Sequence, residues 1–237
     1  LQQAVKSLEY ETRTHVSGDA CRTDGSQWGK TWISALGVER MMYSLGEILP
    51  RAGGDCSAGL RRMVLGEALY ALDEYSRHGR KGVHGGMWVK DGNHPESNVW
   101  VGGILWRAAS MYPDNGRAGD MLARSHDYLI NAVSIPADAN DETVVAGKPV
   151  KARHVGPNFF PNYGLDHHGY LNVGYMAIVL SNVAITHFDM RKLGVNPPES
   201  LYHHAADLWA VLRKMIFSDA RLARLGGDSR IPYTYCQ

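Results

Sequence analysis

"PESNVWVGGILWRAASMYPD", residues 95–114, reads as one apolar helix punctuated at both ends. Pro95 suits a first helical turn, where no N–H is needed, and Pro113-Asp114 ends the run, so the stretch predicts a helix over 95–112. Residues 117–133, stopped by Pro136, read as its partner in a helical hairpin. Upstream, Ile33, Leu36, Val38, Met41, Met42, Leu45 and Ile48 recur mostly at three- and four-residue steps, predicting a helix over 30–49 that Pro50 and Gly53-Gly54 close. A second helix over 57–77, with Leu60, Met63, Val64, Leu69 and Leu72, completes another hairpin. Downstream, 171–193 and 199–217 form a third across Gly194 and Pro197-Pro198. Almost no segment alternates every second residue as a strand does. The expected fold class is all-α, an (α/α) toroid or incomplete toroid built from helical hairpins.

At 237 residues and 26.2 kDa the chain predicts one catalytic-size domain, 1–237, with a substantial core. Lys plus Arg number 25 against 24 Asp plus Glu, a formal charge of +1, so no whole-chain field argues for nucleic acid or an anionic membrane as partner. No apolar run is expected to reach the roughly 20 residues that cross a bilayer. The opening Leu1-Gln2-Gln3 implies a secretion signal that is absent or removed. The missing initiator Met and the abrupt end at Tyr235-Cys236-Gln237 suggest a piece of a longer polypeptide, truncated at the C-terminal end, with further domains of the same polypeptide as candidate partners. Cys21, Cys56 and Cys236 are too few for a disulfide scaffold; free thiols are the expectation, with a Cys21–Cys56 pair as the alternative in an exported protein.

Two long connections, 79–94 and 134–169, carry aromatic and histidine residues, which predicts ordered, site-building loops, with 138–149 as an exposed excursion. Three polar clusters follow. In "NHPESNVW", His94 and Glu96 suit capping and the helix dipole, whereas Asn98 needs hydrogen-bond partners if buried in so apolar a helix. In "GPNFFPNYGLDHHGYLNVGYM", residues 156–176, Asn158, Tyr163, Asp166, His167, His168, Tyr170 and Tyr175 crowd the mouth of a helix. Single tyrosines there fit packing, but a histidine near a tyrosine offers two proton-handling groups of different acidity. In "RLGGDSRIPYTYCQ", Arg230 either binds a carboxylate or braces Asp228, with Tyr233 and Tyr235 close by.

No Gly-x-Ser-x-Gly elbow, phosphate-cradling Gly-Lys loop or His-Glu-x-x-His occurs. His203-His204, read as adjacent residues on a helix, point in different directions, and neither they nor His167-His168 have helical metal-ligand spacing, so no metal and no cofactor is expected.

"PESNVWVGGILWRAASMYPD" followed about fifty residues later by "NFFPNYGLDHHGYLNVGYM" resembles the helical-toroid polysaccharide lyases, the heparinase II/III-like and alginate-lyase-like proteins, and among them the rhamnose–glucuronate lyases. The resemblance covers residues 88–237. Such proteins carry an acidic residue, Asn-His-Gly, then His-Pro and Tyr-Met. Asp166, His168-Gly169 and Tyr175-Met176 match, while His167 replaces the Asn and Asn172-Val173 the His-Pro. Glu96 and Asn98-Val99-Trp100 match the Glu-x-Asn-Ala-Trp helix start.

The resemblance implies a secreted or periplasmic lyase that cleaves a glycosidic bond to a uronic acid by β-elimination. Catalysis would fall to His168, Tyr175, Tyr235 and Asn98. Arg230, His167, Asn158, Tyr163, Trp100, His94 and Tyr233 would bind a uronate-containing oligo- or polysaccharide. Two other readings of the same residues stand beside it. One is a toroid glycoside hydrolase using Asp166 with Glu96 or Asp228. The other is a non-catalytic sugar-binding protein in which Trp88 and Trp100 stack on sugar rings.

Overall fold

A computed structural model describes residues 1–89 and 92–223. It is all-α, with eight α-helices among the described residues: α1 Gln2–Thr14, α2 Ser34–Met42, α3 Leu45–Ile48, α4 Gly54–Asp73, α5 Pro95–Met111, α6 Ala118–Ile130, α7 Val173–Lys192 and α8 Ala205–Leu212. The strands are two short antiparallel pairs, Ser76–Arg77 with Arg80–Lys81 and Val144–Val145 with Lys148–Pro149.

The stretch that announced the fold is its hub. Helix α5 is buried around nearly its whole circumference and packs on α2, α4, α6 and α7. Gly102 and Gly103 explain how one helix serves so many neighbours. A Cβ at Gly102 would lie 2.7 Å from Leu129 Cγ on α6, and one at Gly103 would lie 2.9 Å from the Glu39 carboxylate on α2. Ser125 Oγ donates to Gly102 O at 2.7 Å across the α5–α6 contact. Deeper in α5, the fully buried Arg107 donates to Glu39 Oε1 at 2.8 Å and to Asp189 Oδ2 at 3.0 Å, joining α2, α5 and α7. Burial raises the proton affinity of both carboxylates against the opposing pull of that guanidinium.

The expected 30–49 helix is divided at Tyr43-Ser44, with Met42 and Leu45 buried on either side of the break. The expected 57–77 and 171–193 helices are shifted or trimmed by a few residues, as helix ends usually are. Helix α1 escaped the sequence reading because its apolar stripe is thin. It is held by a buried contact instead: His15 Nε2 lies 2.8 Å from Glu67 Oε1 on α4, where Lys30 N–H and Ser34 Oγ also converge.

Three further expectations are corrected. The 199–217 helix is broken: a 3₁₀ turn, Glu199–Tyr202, leads to His204 at φ +52 before α8 begins. Asp138, expected on an exposed excursion, is 1% exposed within the 3₁₀ turn Pro136–Asn140. Helix α7 has 20 residues and contains an 18-residue stretch of mean hydropathy 1.2, long and apolar enough by length and composition to cross a membrane, although 67% of that stretch is buried inside the protein. Cys21 is exposed, Cys56 is buried, and both are free thiols rather than a pair.

Candidate functional site

Between the start of α2, the 77–89 segment, the mouth of α5 and the turn before α7 lies a cleft of about 790 Å³. One wall is built by the "DHHGYLN" stretch. Asp166 and Leu171 pair as an antiparallel bridge, His167 N–H bonds Tyr170 O at 3.2 Å, and Asn172 N–H bonds Leu165 O at 2.8 Å. His168 (φ +64) and Gly169 (φ +84) make the bend, the pair of positive φ values that a tight primed turn requires. Asn172 then caps α7. Its Oδ1 accepts Tyr175 N–H at 3.0 Å while its Nδ2 donates to His167 O at 3.2 Å. The adjacent histidines therefore part company. His167 turns inward, its ring 4.2 Å from that of Tyr175, while His168 stays exposed at the tip with its ring 5.5 Å from Tyr175.

The opposite wall is also imidazole. His94, immediately before α5, stacks on His78 at 5.2 Å and meets His84 edge-on at 5.0 Å and His167 at 6.1 Å. Both ring nitrogens of His94 and of His84 lack hydrogen-bond partners among the described residues. Burial, reinforced by Arg77 and the neighbouring rings, pushes the His94 pKa down to about 2. Burial with Arg80, Arg77 and His78 brings His84 to about 4. At neutral pH these rings are uncharged, each with one N–H donor and one lone pair.

Arg77 supplies formal charge. Its Nη1 donates to Glu96 Oε1 at 2.6 Å and to Ser97 Oγ, and its guanidinium carbon lies 4.2 Å above the Trp32 ring. Trp32 and Trp88 are 40% and 73% exposed on the lining, and the Trp100 Nε1 in the wall is buried without a partner among the described residues.

The structure thus gathers His94, Trp100, His167, His168 and Tyr175 around one cleft. It does not bring the two candidate asparagines there. Asn98 and Asn158 are both fully buried behind the wall. Asn98 Oδ1 accepts His84 N–H at 3.1 Å, and its Nδ2 donates to His84 O and Asn131 O at 2.7 and 2.9 Å. Asn158 Nδ2 donates to the same two carbonyls at 3.1 and 2.6 Å. Their amides brace the loop that presents His84, which corrects their expected place in the chemistry and in substrate binding. Tyr163 is likewise off the cleft, its hydroxyl 3.1 Å from His204 Nδ1. Arg230, Tyr233 and Tyr235, with Asp228, lie outside the described residues.

Sequence reasoning missed Trp32, Arg77 and His78 as site residues, and His84, which lies buried behind the lining against His94. The 79–94 loop stands out for its rings, but Arg77 and His78 fall just before its expected start, Arg77 as the last residue of the overextended 57–77 helix. Glu96, read as a cap and as a partner for Asp166 in hydrolysis, is 1% exposed and clamped by Arg77, an arrangement unsuited to handing a proton to a leaving group. A second cleft, about 720 Å³ between α1 and α4, contains no histidine. Chemically, the first cleft can receive an anion on N–H groups, shuttle a proton through imidazole and phenol, and offer indole faces to a ring.

Comparison with protein-family models, with curated proteins and with solved structures yields no match to this chain.

Proposed function

We infer that this cleft binds a uronate-containing oligo- or polysaccharide and cleaves its glycosidic bond by β-elimination, on hairpins that form part of an (α/α) toroid. The observation that carries the reading is the run of contiguous rings, His94, His167, His168 and Tyr175, beside Arg77 in one tryptophan-flanked cleft.

Elimination needs three services. The uronate carboxylate must be held and its charge offset, so that the proton on C5 becomes removable. The N–H groups of His94 and Trp100, with Arg77 behind them, suit that part. A base must then take the C5 proton. The electron pair forms the C4–C5 double bond, the C4–O4 bond breaks, and the departing sugar oxygen accepts a proton from an acid. His168 at the tip of its turn is assigned the base and Tyr175 the acid, because an ordinary imidazole can accept a proton near neutral pH while a phenol still holds one to give. Trp32 and Trp88 supply stacking faces for the flanking sugars.

Incubating the folded protein with glucuronate-, galacturonate- and mannuronate-containing polymers, and following ultraviolet absorbance of the unsaturated uronide, tests the reading. New absorbance with unsaturated product ends is expected. Saturated ends would mean hydrolysis, and binding without product would mean a sugar-binding protein.

A further inference from the structure

The adjacent histidines of the α7–α8 connection were expected to diverge, and they converge instead. His204 at φ +52 turns the chain so that the His203 and His204 rings lie with centroids 4.0 Å apart, both directed at the buried Asp138. His203 Nε2 is 3.2 Å from Asp138 Oδ2 and His204 Nε2 is 2.9 Å from Asp138 Oδ1. One nitrogen from each ring and one carboxylate oxygen all lie within 4.8 Å of one another. Ligand bonds of about 2.0–2.2 Å around a tetrahedral ion place the donor atoms about 3.3–3.6 Å apart. The observed spacing therefore needs only small side-chain movements to close on one.

From this the geometry points to a divalent transition-metal site, of the zinc class, at Asp138, His203 and His204. Its outer partners are already in place. On the far side of the His204 ring, Nδ1 is 3.1 Å from Asp207 Oδ2, the carboxylate–histidine arrangement that puts the proton on Nδ1 and leaves the Nε2 lone pair for a metal. Tyr163 OH approaches the same Nδ1 at 3.1 Å. Asp138 is oriented by Ile135 N–H, which donates to its Oδ2 at 3.0 Å. Two imidazoles and one carboxylate form a mixed nitrogen–oxygen set, which suits zinc and its neighbours and disfavours calcium and magnesium. Asp138 with Asp207 also matches the charge of a divalent ion. None of the three ligands lines the cleft described above. An ion there would act as a clasp, tying the 136–140 turn to the start of α8 and, through Tyr163, to the loop that leads into the "DHHGYLN" turn. The inference is independent of the cleft's chemistry.

The test uses the intact chain, stripped with a chelator and titrated with Zn²⁺ or Co²⁺ alone, reading bound metal, melting temperature and the visible bands of Co²⁺. One equivalent, a raised melting temperature and bands of nitrogen–oxygen coordination are expected, with no comparable effect of Mg²⁺ or Ca²⁺. His203→Ala with His204→Ala should abolish binding. Asp207→Asn, at a side chain that is 56% exposed, should weaken Zn²⁺ about 10- to 100-fold. Absence of any Co²⁺ band or melting shift in the unaltered protein would overturn the site. So would bands that survive the double substitution, or that vanish with His94→Gln while Asp207→Asn leaves them intact.

Discussion

His168 occupies a left-handed backbone conformation at the tip of its turn, a place that favours glycine and that a histidine holds only when the surroundings enforce it. Here the enforcement comes from the Asp166–Leu171 bridge below the turn and from Asn172 behind it. Because His168 is exposed, replacing it removes chemistry and little packing. His168→Gln should lower turnover of a uronate polymer about 10²- to 10⁴-fold while its thermal melting stays close to the parent. Asn98 gives the opposite outcome. Truncation to Ala strands the N–H of His84 in the interior and leaves the carbonyls of His84 and Asn131 with Asn158 Nδ2 alone, so chemical denaturation should show a loss of about 1–3 kcal/mol. If His168→Gln retains full turnover, the base lies elsewhere in the wall. If Asn98→Ala keeps its stability and loses only turnover, the amide acts on substrate after all.

At the scale of elements, the contrast is between α5, whose sequence states its limits, and the 199–217 segment, whose sequence conceals its break. Prolines punctuate α5 through the backbone itself, so its ends are readable residue by residue. The break at His203-His204 contains no proline or glycine, and it comes from Asp138, more than sixty residues away in the chain. Glycines in helices separate by the same logic. Gly102 is where α6 comes closest, so Gly102→Val should overpack the α5–α6 contact and cost about 1–3 kcal/mol in chemical denaturation. Gly37, in the middle of α2, would meet nothing nearer than Trp28 at 3.8 Å. Gly37→Ala should therefore stabilise by roughly 0.5–1 kcal/mol through helix propensity. Equal effects of the two changes would mean that α5 and α6 do not approach as described.

For the molecule as a whole, the buried histidine cluster links the cleft to stability. Burial depresses the folded-state pKa values of His84 and His94 to about 4 and about 2, below the ordinary histidine value of 6.5. Below pH 6.5 the unfolded chain takes up protons that these rings refuse in the folded state. Their contribution is therefore intact above pH 6.5 and is lost as the pH falls toward 4, by at most about 1.4 kcal/mol per pH unit for each ring. Denaturant midpoints measured from pH 7 to pH 4 should fall in the parent and fall less steeply in His94→Gln; parallel profiles would remove His94 from the account. From the sequence alone came the all-helical class, the α5–α6 pairing and the crowding of histidine and tyrosine rings in 156–176. Each of these is written locally, in periodicity, proline punctuation and side-chain type. Only the tertiary structure decided that Asn98 and Asn158 are braces, that Arg77 and His78 complete the cleft with His84 packed behind His94, and that His203 and His204 meet at Asp138. Those outcomes depend on which carbonyl, carboxylate or ring lies opposite a side chain once distant segments pack, and no spacing along the chain encodes that distance.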